Sequence, residues 1–93
     1  MQVGITVWEL HLAGCRSLKD KRSALKPLLS RLRQQCNVSV AETGHQERWQ
    51  HAEVACAAVG SDRRVIEETL RAADRLVEGS DGVRIMDTAT VYR

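Results

Sequence analysis

Val38-Ser39-Val40-Ala41-Glu42-Thr43-Gly44-His45-Gln46-Glu47-Arg48-Trp49-Gln50-His51-Ala52-Glu53-Val54-Ala55-Cys56-Ala57-Ala58-Val59-Gly60 decides the fold of this chain. β-Branched and small apolar residues dominate 38–43 and 53–60, which read as two strands. The polar segment 44–52 joins them and is longer than a tight hairpin turn. The second strand is apolar on both faces from Val54 to Val59, which suits a central strand with cover on each side.

Outward from this pair, residues 3–12 also predict a strand, with Val3, Ile5, Thr6 and Val7 followed by Trp8, Leu10 and Leu12. The apolar phase is odd at first and even later. Either both faces are covered, or a bulge near Val7–Glu9 switches the phase. After Gly14–Arg16 turn the chain, Ser17-Leu18-Lys19-Asp20 predicts a capping box that opens a helix. Leu18, Leu25, Leu28, Leu29, Leu32 and Cys36 share one face at helical spacing, and Asn37 marks the end. Pro27 predicts a kink or a division within it. A second helix starts at Ser61 or Asp62. Its inner face carries Val65, Ile66, Thr69, Leu70, Ala73, Leu76 and Val77, and Arg64/Glu68 and Glu67/Arg71 form i,i+4 pairs outside. Gly79–Gly82 stop it, and 83–92 predict a last strand. The order βαββαβ is that of an α+β, ferredoxin-like sandwich: a four-stranded antiparallel sheet with two helices on one face.

The length of 93 residues suits a single domain over 1–93 with a thin core, since Phe is absent and the chain has two Trp and one Tyr. The net charge of +2 is too small to argue for nucleic acid alone, but it is unevenly spread. Residues 1–36 hold seven Lys/Arg against Glu9 and Asp20, a net of +5; residues 37–93 hold seven Arg against ten acids, a net of −3. Cys15, Cys36 and Cys56 are odd in number and widely spaced, so neither a disulfide framework nor a zinc motif follows. Free thiols suit a reducing, cytoplasmic setting. No apolar run approaches a membrane span, and the N-terminus lacks the layout of a signal peptide. No cofactor is implied.

Two stretches carry a resemblance to a known family. Gly14-Cys15-Arg16-Ser17-Leu18-Lys19-Asp20-Lys21-Arg22 contains the pattern S-L-K-x-K-R, and Asn37 to Gln50 contains N-V-S-V-x-E-x-G-H-Q-x-x-W-Q. Together they resemble the bacterial YlxP-like family of small domains of unknown function, over nearly the whole chain. The resemblance implies a ferredoxin-like fold and a bacterial cytoplasmic protein whose gene lies near those for translation-initiation and ribosome-maturation factors. It implies no established activity, so no catalytic residue is carried over. Glu47 and Arg48 stand at positions that vary in that family.

Candidate functional residues fall in two groups. In the connecting segment, His45 and His51 with Glu42 and Glu47 have the chemistry of divalent-metal ligands or of an acid–base cluster. The i,i+6 spacing fits neither one helical face nor a zinc finger, and no metal is assigned. Glu42, His45, Gln46 and Trp49 are read first as interaction or loop-anchor residues, with His45 and Gln46 bonding loop backbone, Gly44 supplying an unusual backbone angle and Trp49 partly buried at the sheet edge. Trp49 is otherwise a contact residue. The second group is a basic row: at 100° per residue, Lys19, Arg22, Lys26 and Arg33 fall on one arc beside the apolar stripe. Such a row contacts phosphates or forms a solvated rim. Lys21 falls near the apolar face and leans out or pairs with an acid such as Glu42. Cys56 pairs with His45 or His51 only on paper, since a mid-strand thiol among alanines reads as inert. Three functions stay open: an RNA- or ribosome-associated module, a homo-oligomeric (dimeric) interaction module, and an enzyme using His45, His51 and Glu42.

Overall fold

Alternation and capping build six elements in the expected order. The computed structural model describes all residues from Met1 to Arg93. They are β1 (Gln2–His11), α1 (Leu18–Gln35), β2 (Ser39–Gly44), β3 (His51–Gly60), α2 (Arg63–Glu78) and β4 (Arg84–Tyr92). The strands form one antiparallel sheet in the order β2-β3-β1-β4, the ferredoxin-like topology. No helix is long and apolar enough to cross a membrane.

The core lies between the sheet and the helices. Trp8, Leu10 and Leu12 from the β1 side, Ala52, Val54, Cys56 and Ala58 from β3, and Val40 from β2 meet Leu25, Leu28 and Leu32 of α1 and Ile66, Leu70, Ala73 and Val77 of α2. Burying each Leu, Ile or Val side chain contributes about 1.5–3 kcal/mol. Trp8 is fully buried, and its indole N–H donates to Asp74 Oδ1 at 2.9 Å, so its polar atom is satisfied.

The ambiguous phase of β1 resolves without a switch. Gly4, Thr6, Trp8 and Leu10 all face the helices, while Val3, Ile5, Val7 and Glu9 point to the other face. Gly4 interrupts the even series in the sequence, and Thr6 hides in it as a polar residue that bonds Thr90 Oγ1 at 2.9 Å. The bulge is on the partner strand: Glu9 pairs with Asp87 and Leu10 with Ile85, which leaves Met86 as the extra residue of β4. β3 likewise is covered on one face only. Val59, on the far face, is 63% exposed.

The capping box forms as read. Ser17 Oγ accepts from the Asp20 N–H at 3.0 Å, and Asp20 Oδ2 accepts from the Arg16 N–H at 3.0 Å. Asp62, not Ser61, caps α2. Pro27 does not divide α1, which continues from Leu18 to Gln35. Its ring lies on the exposed side, where solvent reaches the backbone group that lost its donor. On α2 the pairs are Arg63/Glu67 and Arg64/Glu68; Arg71 does not pair, and Val65 is exposed rather than internal. β3 begins two residues earlier than 53, so the connection to β2 shortens to 45–50.

Candidate functional site

Strand alternation puts Glu9, His51 and Glu53 on the sheet face away from the helices. The β1–β3 register sets Glu9 opposite Glu53 and His11 opposite His51, and the β1–β4 register sets Glu9 opposite Asp87. This acidic row crosses three strands and is flanked by a bulge on each edge strand. On β4 the extra residue is Met86; on β2 it is Thr43, between the pairs Glu42–Val54 and Gly44–Glu53. Bulges bend an edge and re-aim the side chains beside it. Thr43 Oγ1 consequently donates to Glu53 Oε2 at 2.6 Å.

His45 arrives at the same place from the loop. Its φ of 57° is the only positive value at a non-glycine residue, so the unusual backbone angle belongs to His45 and not to Gly44. Such a conformation persists only where the surroundings hold it. Here the His45 carbonyl accepts from Lys21 Nζ at 2.7 Å and from the Arg48 N–H at 3.0 Å. At Gly44 the constraint is crowding: a Cβ there would stand 3.0 Å from Glu53 Oε2 and 3.1 Å from Glu53 Cβ, so the Glu53 side chain would have to give way.

The two imidazoles converge on one carboxylate oxygen. His45 Nε2 lies 2.8 Å and His51 Nε2 3.1 Å from Glu9 Oε1, and the rings meet edge-on with centroids 4.3 Å apart. Burial works to raise the Glu9 carboxyl, but the hydrogen bonds and charges of His51 and His45 outweigh it and hold Glu9 below its ordinary range. A carboxyl lowered in the folded state stabilises the fold above its unfolded pKa of about 4.3, and that contribution is lost as the pH falls through the folded value.

Glu42 does not join the histidines. It points to the helix side of β2, where Lys21 Nζ sits 2.7 Å from its Oε2, while the Lys21 side chain is only 3% exposed. Lys21 therefore pairs with Glu42, one of its two expected fates. Gln46 Nε2 donates to the Glu42 carbonyl at 3.3 Å and Gln50 Nε2 to the Ala13 and Cys15 carbonyls at 3.3 and 3.1 Å, which ties the loop to β2 and to the turn before α1. Trp49 is 52% exposed and lies outside the core cluster, so half of its indole faces solvent instead of plugging the sheet edge. Glu47 is exposed and outside the cluster. Sequence reasoning missed Glu9 as the partner of the histidines. The signal was present in the strand pairing, since the β1–β3 register fixes Glu9 two residues along β3 from His51.

Cys56 lies on the helix face of β3, opposite to His51, and burial pushes its thiol up to about 11. Cys15 and Cys36 are also buried and raised by burial. None of the three is an activated nucleophile.

The basic row is exposed along α1. Lys19, Arg22 and Lys26 have no acid within ion-pair distance, whereas the Arg33 guanidinium donates to the Val40 carbonyl at 2.9 Å. Arg22, Lys26 and Arg33, with Leu25, Leu29 and the Glu42 carboxylate, line a groove of about 230 Å³ between α1 and β2. This site and the Glu9 cluster therefore lie on opposite layers of the molecule.

Comparison with known proteins agrees with this architecture. A de novo designed protein, Foldit4, shares the fold at a TM-score of 0.58 and 17% identity, over 98% of this chain and 97% of its own. The uncharacterised protein YlxP of Bacillus subtilis (strain 168) is 38% identical over 69 residues, which span 74% of this chain and 75% of that protein. A family model described as "Protein of unknown function (DUF503)" matches residues 3–90. The chain belongs to the DUF503 family.

Proposed function

We propose that this chain is an RNA-binding module of the bacterial cytoplasm that holds a phosphate backbone against α1. One observation carries the reading: Lys19, Arg22 and Lys26 project from one helix face into solvent with no carboxylate partner. Their successive rises of roughly 4.5 and 6 Å along the axis, from 1.5 Å per residue, give a line of charge that a polyanion can follow. The groove beside them, lined by Leu25 and Leu29, accepts the less polar side of a nucleotide. Composition does not favour the usual stacking platform on the sheet, because the open face carries no Phe, Tyr or Trp and Tyr92 turns to the helix side under Arg63. Binding is then electrostatic and tolerant of sequence. The three buried thiols fit a reducing compartment.

Fluorescence anisotropy with a labelled single-stranded RNA across a salt series tests this. The double reversal Arg22→Glu/Lys26→Glu should weaken binding and flatten the log–log salt slope by roughly 1.4, about 0.7 for each lost phosphate contact. Unchanged affinity and slope would reject the assignment.

A second reading, a symmetric homodimer, is favoured by the far face of the sheet. Val3, Ile5, Val7, Ala55, Ala57, Val59 and Val91 lie together there, and Val59 and Val91 are 63% and 44% exposed. Charge enters this patch at its border, where Arg93 pairs with Val3, so a second copy meets a mainly apolar surface.

A further inference from the structure

The geometry points to a divalent transition-metal site of the zinc class on Glu9, His45 and His51, at the polar end of the open sheet face. It uses none of the exposed α1 cations Lys19, Arg22 and Lys26 and stands apart from the RNA reading. The three ligating atoms lie within 4.8 Å of one another, and both imidazole Nε2 atoms already touch Glu9 Oε1, at 2.8 and 3.1 Å. A tetrahedral zinc ion with N and O bonds of about 2.0–2.2 Å keeps neighbouring ligand atoms roughly 3.3–3.6 Å apart. The present contacts therefore need to open by roughly half an ångström to admit the ion. The side chains are 27–36% exposed, so small rotations achieve this without moving the core.

The donor set is chemically apt. Two imidazole nitrogens and one carboxylate oxygen match the two-His, one-carboxylate sets that hold zinc and related ions. Each imidazole would exchange its hydrogen bond to Glu9 for a bond from Nε2 to the ion, binding as the neutral tautomer with its one N–H on Nδ1. Because all three side chains stand partly in solvent, a fourth position stays open to water or to a donor from a bound molecule.

Three independent features aim these residues at one point. His45 is held at a φ that non-glycine residues avoid, and the buried Lys21 ammonium fastens its carbonyl. The bulges at Thr43 and Met86 flank the row from both sheet edges. Glu53 and Asp87, on either side of Glu9, add negative charge where a cation would sit. Neither imidazole makes a second hydrogen bond to the protein, so the affinity falls below that of zinc sites whose ligands have a full outer shell.

Calorimetric titration of the full chain, free of any histidine tag, with zinc chloride in a non-chelating buffer decides this. One ion per chain is expected, with a melting temperature that rises as zinc is added. Loss of an outer-shell partner alone costs about 10- to 100-fold in metal affinity. Removal of a direct ligand in Glu9→Gln or His51→Ala should cost at least that, and zinc should no longer raise the melting temperature of either variant. His11→Ala, at the position opposite His51, should bind like the parent chain. The Glu9→Gln variant keeps the side-chain shape, so it remains informative if His45→Ala disturbs the loop. With cobalt(II), the bound ion should show ligand-field bands without a thiolate charge-transfer band. No saturable binding by the parent chain, equal affinity in Glu9→Gln and His51→Ala, or a thiolate band that places the ion on a cysteine would each overturn the assignment.

Discussion

Lys21 is the residue on which the loop and the helix layer depend together. Its ammonium is almost wholly buried, donates to the His45 carbonyl and forms an ion pair with Glu42 Oε2, each at 2.7 Å. A buried pair contributes little net stability against apolar replacement, but removal of one partner strands the other. Lys21→Met should therefore cost about 3 kcal/mol, the lower end of the usual 3–5 kcal/mol for breaking such a pair. The low end applies because the Glu42 side chain is 23% exposed and can recover some solvation. Lys21→Met/Glu42→Met should regain a substantial part of the loss. Urea unfolding of both variants measures it, and a single variant within about 0.5 kcal/mol of the parent, as for an ordinary surface change, would show that the pair is not structural. The fate of Lys21 was legible because a lysine on an apolar stripe has few options. Glu9 was not legible in the same way. Its partners stand 36 and 42 residues away, and only the strand register brings them together.

At the scale of elements, local signals were read well and phase signals less so. Ser17, Asp20 and Asp62 act through backbone groups a few residues away, so their roles follow from sequence spacing. The phase of β1 was obscured because its helix-facing series begins with Gly4 and Thr6, while valine and isoleucine occupy the face that the helices leave open. Gly4 has its own explanation. A Cβ there would meet Ile66 Cγ2 at 2.6 Å and Leu70 Cδ1 at 2.7 Å, so α2 rests directly on the β1 backbone. Gly4→Ala should force these packed side chains apart and cost about 1–3 kcal/mol, the usual range for an added core methyl. A thermal melt followed by circular dichroism checks this; a melting temperature at or above that of the parent would mean that α2 shifts freely over the sheet. Trp49 shows the opposite limit. Its size suggested a plug, but nothing in the local sequence says whether a loop indole turns inward, and this one stays half in solvent.

For the molecule as a whole, helices on one layer leave the other layer of the sheet bare. Its apolar half is bordered by Arg93 beside Val3, while the acidic row with Glu9, Glu53 and Asp87 occupies the other half. A symmetric pair of chains would bury Ile5, Val7, Val59 and Val91 and keep the acids at the rim. Sedimentation at high micromolar concentration should show a dimer, and Val59→Lys should return it to monomer with little effect on the fold, since Val59 is 63% exposed in the single chain. A strict monomer for the parent chain would remove the dimer reading. The one-layer topology was legible from the order of elements, since two helices of this size cover only one face. What occupies the bare face was not legible, because small apolar residues serve a covered interior and a self-associating surface equally well.

The bulges at Thr43 and Met86 have a consequence beyond the site they flank. Each lies on an outermost strand, one on the short β2 and the other on β4, where Arg84 and Asp87 bracket the irregularity. A flat, regular edge is a template on which a further strand can add, and repeated addition leads to fibrils. Both rims of this sheet are kinked near the same row, so growth by strand addition is discouraged on either side. On the dimer reading, this leaves the broad face for association, where a two-fold contact would close on itself and go no further.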